Sequence, residues 1–78
     1  MILIKLKEKF KTSNYSKPVV EQISEDTELI IQKRDHRYRA IIKNIKTNEM
    51  KFSNAYDTIK GLNKYYLSKY DISINIER

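Results

Sequence analysis

Glu28-Leu29-Ile30-Ile31-Gln32-Lys33-Arg34-Asp35-His36-Arg37-Tyr38-Arg39-Ala40-Ile41-Ile42-Lys43 is the stretch whose reading decides the fold. Both halves are rich in β-branched and aromatic residues, and Asp35-His36 between them supplies a two-residue turn. Directly opposed residues of a hairpin share a face. A turn at 35–36 sets Arg34 opposite Arg37, Gln32 opposite Arg39 and Glu28 opposite Lys43 on one face. The other face holds Lys33–Tyr38, Ile31–Ala40 and Leu29–Ile42, and reads as core. Ile30 and Ile41 are left on the charged face.

Downstream, Lys46-Thr47-Asn48-Glu49 reads as a second turn, followed by a short strand, Met50-Lys51-Phe52. Met50 and Phe52 are expected to point inward and Lys51 to join the charged face. Ser53 then reads as an N-cap, with Asp57 in the first turn where the helix dipole favours it. Ala55, Ile59, Leu62 and Tyr66 recur at helical spacing, and Leu67 and Tyr70 widen the stripe, so a helix is expected over about 54–69. Gly61 inside it costs roughly 1 kcal/mol relative to alanine, which close packing against the sheet would explain. Ile72, Ile74 and Ile76 alternate with Ser73, Asn75 and Glu77, giving a last strand with one buried face.

Upstream, Ile2, Ile4, Leu6 and Phe10 alternate with Lys5, Lys7, Lys9 and Lys11, so residues 2–11 read as a strand with one apolar face. The lysines form a comb with a spacing of roughly 6.6–6.8 Å, two residues of strand rise. It suits either a phosphate backbone or the protection of an edge strand. Residues 12–17 are turn formers, and Pro18 suits the first turn of a short helix carrying Val19, Val20 and Ile23, or a structured loop. The expected fold class is α+β: an antiparallel-rich sheet of about five strands with one long helix across one face. The order is strand, short helix or loop, three strands, helix, strand, and residues 1–78 make a single domain.

Composition narrows the function. With no cysteine among 78 residues, disulfides and the usual structural zinc sites are excluded. The start lacks the features of a signal peptide, and no apolar run approaches the roughly 20 residues of a membrane span. A soluble, cytoplasmic protein with no membrane partner is expected. Net charge is +6; Glu21, Glu25, Asp26 and Glu28 take four of the 10 acids, leaving six against all 16 cations elsewhere. That asymmetry points to an anionic partner. Abundant lysine, isoleucine, asparagine and tyrosine point to an A/T-rich genome, that of a low-GC bacterium, its phage or an archaeal virus.

Catalytic groups are scarce. His36, the sole histidine, lies in a turn beside Asp35 among cations, without a nucleophile or a concave setting. Glu25, Asp26 and Glu28 match no calcium-loop spacing, and the one glycine lies inside a helix, away from any phosphate cradle. No enzyme activity, cofactor or metal is expected. The basic constellation carries the reading instead: Lys33, Arg34, Arg37, Arg39, Lys43 and Lys51 around the hairpin, with Lys5, Lys7, Lys9 and Lys11 on the first strand. Arginine offers a planar fork for phosphate or guanine. The expected function is a small non-enzymatic protein that contacts the backbone of DNA or RNA through this face. The alternative is a protein-binding inhibitor or adaptor, a phage or mobile-element antagonist of a host nucleic-acid-handling or defence complex. It would meet an acidic protein surface or dock through Tyr56 and Tyr65 on the helix. A homodimer by edge pairing is a third possibility.

Overall fold

The central hairpin forms as its sequence dictates. A computed structural model describes residues 2–7 and 17–77. In it β3 (Thr27–Arg34) and β4 (Arg37–Asn44) pair antiparallel over eight residues each, in the register from Arg34↔Arg37 to Thr27↔Asn44. Asp35 and His36 both have positive φ, 54° and 64°, as a type I′ turn requires.

Two further strands flank the hairpin: β2 (Val19–Gln22) on β3 and β5 (Met50–Phe52) on β4, giving a four-stranded antiparallel sheet in the order β2-β3-β4-β5. β2 replaces the short helix or loop expected after Pro18. A proline just before an edge strand withholds no ladder hydrogen bond, and Val19 takes the inward place opposite Ile31. A second, two-stranded parallel sheet joins β1 (Ile2–Lys7) to β6 (Ile72–Glu77). The expected single sheet of about five strands is thus six strands in two sheets, and the helix packs between their elements.

That helix, α1, spans Ile59–Tyr70 rather than 54–69. Thr58 is its N-cap, accepting from the Gly61 N–H at 3.1 Å, and Asp71 closes it in the left-handed conformation with φ 58°. Asp71 therefore turns the chain straight into β6, and its carbonyl accepts from Ile2 N–H at 3.1 Å to start the parallel pairing. Asn63 Oδ1 accepts from Ile74 N–H at 2.6 Å, tying helix to strand. Ile59, Leu62 and Tyr66 bury the inner stripe. They meet Ile4 and Leu6 of β1, Leu29 and Ile31 of β3, Tyr38 and Ala40 of β4, and Ile72 and Ile74 of β6 in one cluster. Burying each such side chain contributes roughly 1.5–3 kcal/mol, whereas the exposed pairs Arg37–Asp57 and Lys46–Asp26, both at 3.4 Å, are worth about 0–1 kcal/mol each. The shared core, not the surface charge, joins the two sheets.

The segment between β5 and α1 explains the late helix start. Ser53 is not a cap. Its N–H donates to Ala40 O at 2.9 Å, its Oγ accepts the Ala40 N–H at 3.0 Å, and its hydroxyl donates to Asn54 O at 2.9 Å. Tyr56 then exchanges two 2.7 Å hydrogen bonds with Tyr38. Asn54 and Ala55 together stand against Arg39, which is a β-bulge. The chain stays extended along β4 to Tyr56 before it can turn into the helix, and Asp57 falls outside the first turn.

Two stability changes follow. Ser53→Ala leaves the buried Ala40 N–H without its acceptor and should cost about 1–3 kcal/mol in urea denaturation. His36→Gly removes a Cβ from a left-handed position and should raise stability by about 0.5–1 kcal/mol in the same assay, against the roughly 1–2 kcal/mol that this conformation costs an L-residue.

Candidate nucleic-acid interface

Alternation along each strand sorts the four-stranded sheet into two faces. The inner face carries Leu29, Ile31, Lys33, Tyr38 and Ala40, all buried. On the outer face the register stacks four cross-strand rows. Arg34 pairs with Arg37 at the hairpin end, then Gln32 with Arg39. Next comes an apolar row across all four strands, Val20–Ile30–Ile41–Phe52, and beyond it Gln22–Glu28–Lys43–Met50.

Arg34, Arg37 and Arg39 converge as the sequence predicts. With Asp35 and Ala55 they line one open depression of about 460 Å³. Ala55 belongs to the bulge, so the extra residue opposite Arg39 shapes the wall of this depression. Arg39 donates from Nε to Gln32 Oε1 at 3.3 Å, which holds its guanidinium along the face. Arg37 Nε lies 3.4 Å from Asp57 Oδ1, with both side chains well exposed. Lys43 shares the face, two rows away across the Ile30–Ile41 pair.

Other expected members do not join them. Lys33 is on the inner face, 8% exposed, with its Nζ 5.7 Å from the centre of the Tyr38 ring. Its aliphatic stem is absorbed into the core and its charge sits over the aromatic ring. Lys51 pairs with Ile42 and so points to the inner side at the sheet edge, while Met50 and Phe52 face outward opposite Lys43 and Ile41. The expected parity of β5 is reversed, because Ser53 rather than Phe52 fills the inner place beside Ala40. A one-residue change in a period-two strand moves every side chain to the other face. Lys5 and Lys7 are exposed, but they stand on β1 in the two-stranded sheet, opposite Asn75 and Glu77. Among the described residues no ladder connects them with the arginine rows. Lys9 and Lys11 lie outside the described residues.

His36 is exposed in its turn. Among the described residues no group of three histidines, cysteines or acids is placed to hold a metal, and no helix is long and apolar enough to cross a membrane.

The helix and Tyr56, which stands in the extended segment before α1 rather than on the helix as expected, carry a second concentration of side chains. Tyr56 and Tyr65, 6.1 Å apart between ring centres, line a shallow depression of about 580 Å³ with Gly61, Lys64, Ser68 and Lys69. A Cβ on Gly61 would come within 3.2 Å of the Tyr56 ring, so the glycine admits that ring rather than the sheet. Tyr65 meets Tyr66 edge-on at 5.1 Å, and Tyr66 stacks on Tyr70 at 5.4 Å. Lys69 Nζ donates to the Tyr65 hydroxyl at 3.1 Å, and this contact raises the lysine pKa.

Burial pushes the Tyr66 phenol up to about 12, partly offset by its hydrogen bond with Ser53, and burial also raises Tyr38. A comparison with known protein families, curated proteins and solved structures finds no match to this chain.

The Tyr66 shift sets a pH dependence. Its folded-state pKa lies above the unfolded value of about 10, so its contribution to stability is complete below pH 10 and is lost as pH rises towards 12. The expected slope is about 1.4 kcal/mol per pH unit in that window. Tyr66→Phe should flatten the fall in unfolding free energy between pH 10 and 12 relative to the parent chain.

Proposed function

We propose that this chain is a small, basic, non-enzymatic binding protein that grips nucleic-acid backbone at the end of its central hairpin. The observation that carries the reading is the convergence of Arg34, Arg37 and Arg39, from both strands of one rigid hairpin, on a single open depression. Guanidinium groups bond phosphate oxygens in pairs, and charge-assisted bonds of this kind are about twice as strong as neutral ones. Regular β-structure fixes the spacing of the forks before any ligand arrives, which lowers the ordering cost of binding. Exposure of His36 at the turn, without a partner nucleophile in its sequence neighbourhood, supports a binding rather than a catalytic role.

Three arginines imply about three neutralised phosphates. Log affinity should fall against log salt with a slope near −2.7 on duplex DNA and near −2.1 on single strands. Fluorescence anisotropy across a salt series measures it, and absence of binding at low salt overturns the proposal. Arg37→Glu with Arg39→Glu should weaken binding at least about tenfold, since a hydrogen bond to a charged group is worth about 1.5–3 kcal/mol. Lys5→Glu with Lys7→Glu, on the other sheet, should weaken it far less. Asp57→Asn, which releases Arg37 from its ion pair, should tighten binding.

The depression on the helix favours a second reading, a protein-binding inhibitor or adaptor that meets an acidic surface. Tyrosine is enriched in such contacts, the lysines supply charge for an acidic surface, and Tyr56, Tyr65, Lys64 and Lys69 share this face. Capture of a partner that resists nuclease and is lost in Tyr65→Ala with Lys69→Ala would favour it over the first.

A further inference from the structure

Phe52 is in an unusual place. It is 58% exposed, on the outer face of the sheet, opposite Ile41. Arg39 stands two residues from Ile41 on the same face of β4, diagonal to Phe52. Diagonal neighbours of this kind are about 7–8 Å apart. An aromatic ring is therefore held on regular β-structure diagonal to Arg39, whose side chain lines the arginine depression and bonds Gln32 on the far strand. The cause is local: Ser53 takes the inward place, which turns Phe52 out, and the bulge that follows opens the space beside Arg39.

The outer face is not a broad apolar patch. Its apolar row, Val20–Ile30–Ile41–Phe52, widens only at the β5 edge, where Met50 also faces outward, and is flanked by Gln32 and Arg39 on one side and by Gln22, Glu28 and Lys43 on the other. A stable protein interface buries about 800 Å² on each partner around an apolar centre, and a narrow row flanked by charge on both sides is a poor centre for one. It fits a narrow polyanion with flat apolar groups. In a duplex the faces of the bases are hidden in the stack. In a single strand they are exposed and settle on aromatic side chains. A nucleotide with its base on Phe52 would direct its phosphate towards Arg39.

Resting on the proposed nucleic-acid reading, we infer that Phe52, with Arg39 beside it, is a base-stacking platform and that the ligand of this face is single-stranded nucleic acid.

The test compares a short oligothymidylate with the same strand annealed to oligodeoxyadenylate. Phe52→Leu keeps an apolar side chain without a ring, and should weaken the single strand by about 5- to 150-fold, the effect of roughly 1–3 kcal/mol per stacked base. The salt slope should stay the same, because no phosphate contact is removed, and duplex binding should barely change. Phe52→Trp should keep full affinity, and its emission should be quenched on binding; the chain has no other tryptophan, so the signal is unambiguous. Urea denaturation of both variants checks that the fold is retained, as expected at an exposed position. Equal affinity of Phe52→Leu and the parent chain for the single strand overturns the inference, as does an unquenched Phe52→Trp emission. If binding depends on the arginines but not on Phe52, this inference falls and the backbone reading stands. If neither probe binds at low salt, both fall.

Discussion

The reciprocal bonding of Ser53 with Ala40 is the constraint on which the rest of the structure depends. Ala40 is fully buried on β4, and both of its backbone groups are engaged by Ser53, one through the main chain and one through the hydroxyl. A buried amide left without a partner costs about 1–3 kcal/mol, a large part of what a domain of this size has to spare. The hydroxyl does here what a carbonyl does in a regular ladder. It frees the chain to insert an extra residue, and Tyr56 rejoins β4 at Tyr38. From that one junction follow the outward parity of Met50 and Phe52, the bulge against Arg39, the delayed start of α1, and the hydrogen bond that meets the buried Tyr66 phenol.

What could be read from sequence, and what could not, divides along the same line. The hairpin register was fully legible, because a two-residue turn and strict alternation leave one pairing that buries Leu29, Ile31 and Ala40 together. The inner stripe of α1 and the buried face of β6 were legible for the same reason of periodicity. β5 was not. Met50-Lys51-Phe52 alternates in favour of an apolar inner face, and only the hydrogen-bonding demand of Ala40, set by tertiary structure, overrides that preference. β2 has one inward apolar residue and lies at an edge, so its four residues hold no period. The parallel partner of β1 is separated from it by the whole of the four-stranded sheet, and alternation in a strand says nothing about its neighbour.

The candidate site was legible in its charges but not in its aromatic member. Arg34, Arg37 and Arg39 follow from register alone. The same alternation places Lys33 opposite Tyr38 on the inner face, and the structure keeps it there; counting it with the outer cations gave cationic type more weight than the face it occupies. Lys51 left the basic face and Phe52 entered it through a single reversal of parity. Lys5 and Lys7, the described members of the lysine comb, stand exposed on the other sheet, opposite Asn75 and Glu77.

Aromatic side chains are divided between two tasks by the fold. Tyr38 and Tyr66 are buried in the core, and Tyr56, Tyr65 and Tyr70 lie partly buried against it. Tyr65 and Tyr70 are engaged with each other, with Tyr66 and with Lys69. Rings committed in this way stabilise the helix against the sheet, and moving them to meet a ligand would unpack the core. Phe52 stands on the outer face opposite Ile41, 58% exposed and outside that cluster of rings. An exposed ring costs a small protein solubility, and an inward Phe52 would have gained roughly 1.5–3 kcal/mol of burial. Ser53 holds the inward place instead. The loss of that burial is set against an aromatic ring on a regular sheet, diagonal to Arg39 on the face that Arg34 and Arg37 share, the arrangement that gives the proposed interface a chemistry beyond charge.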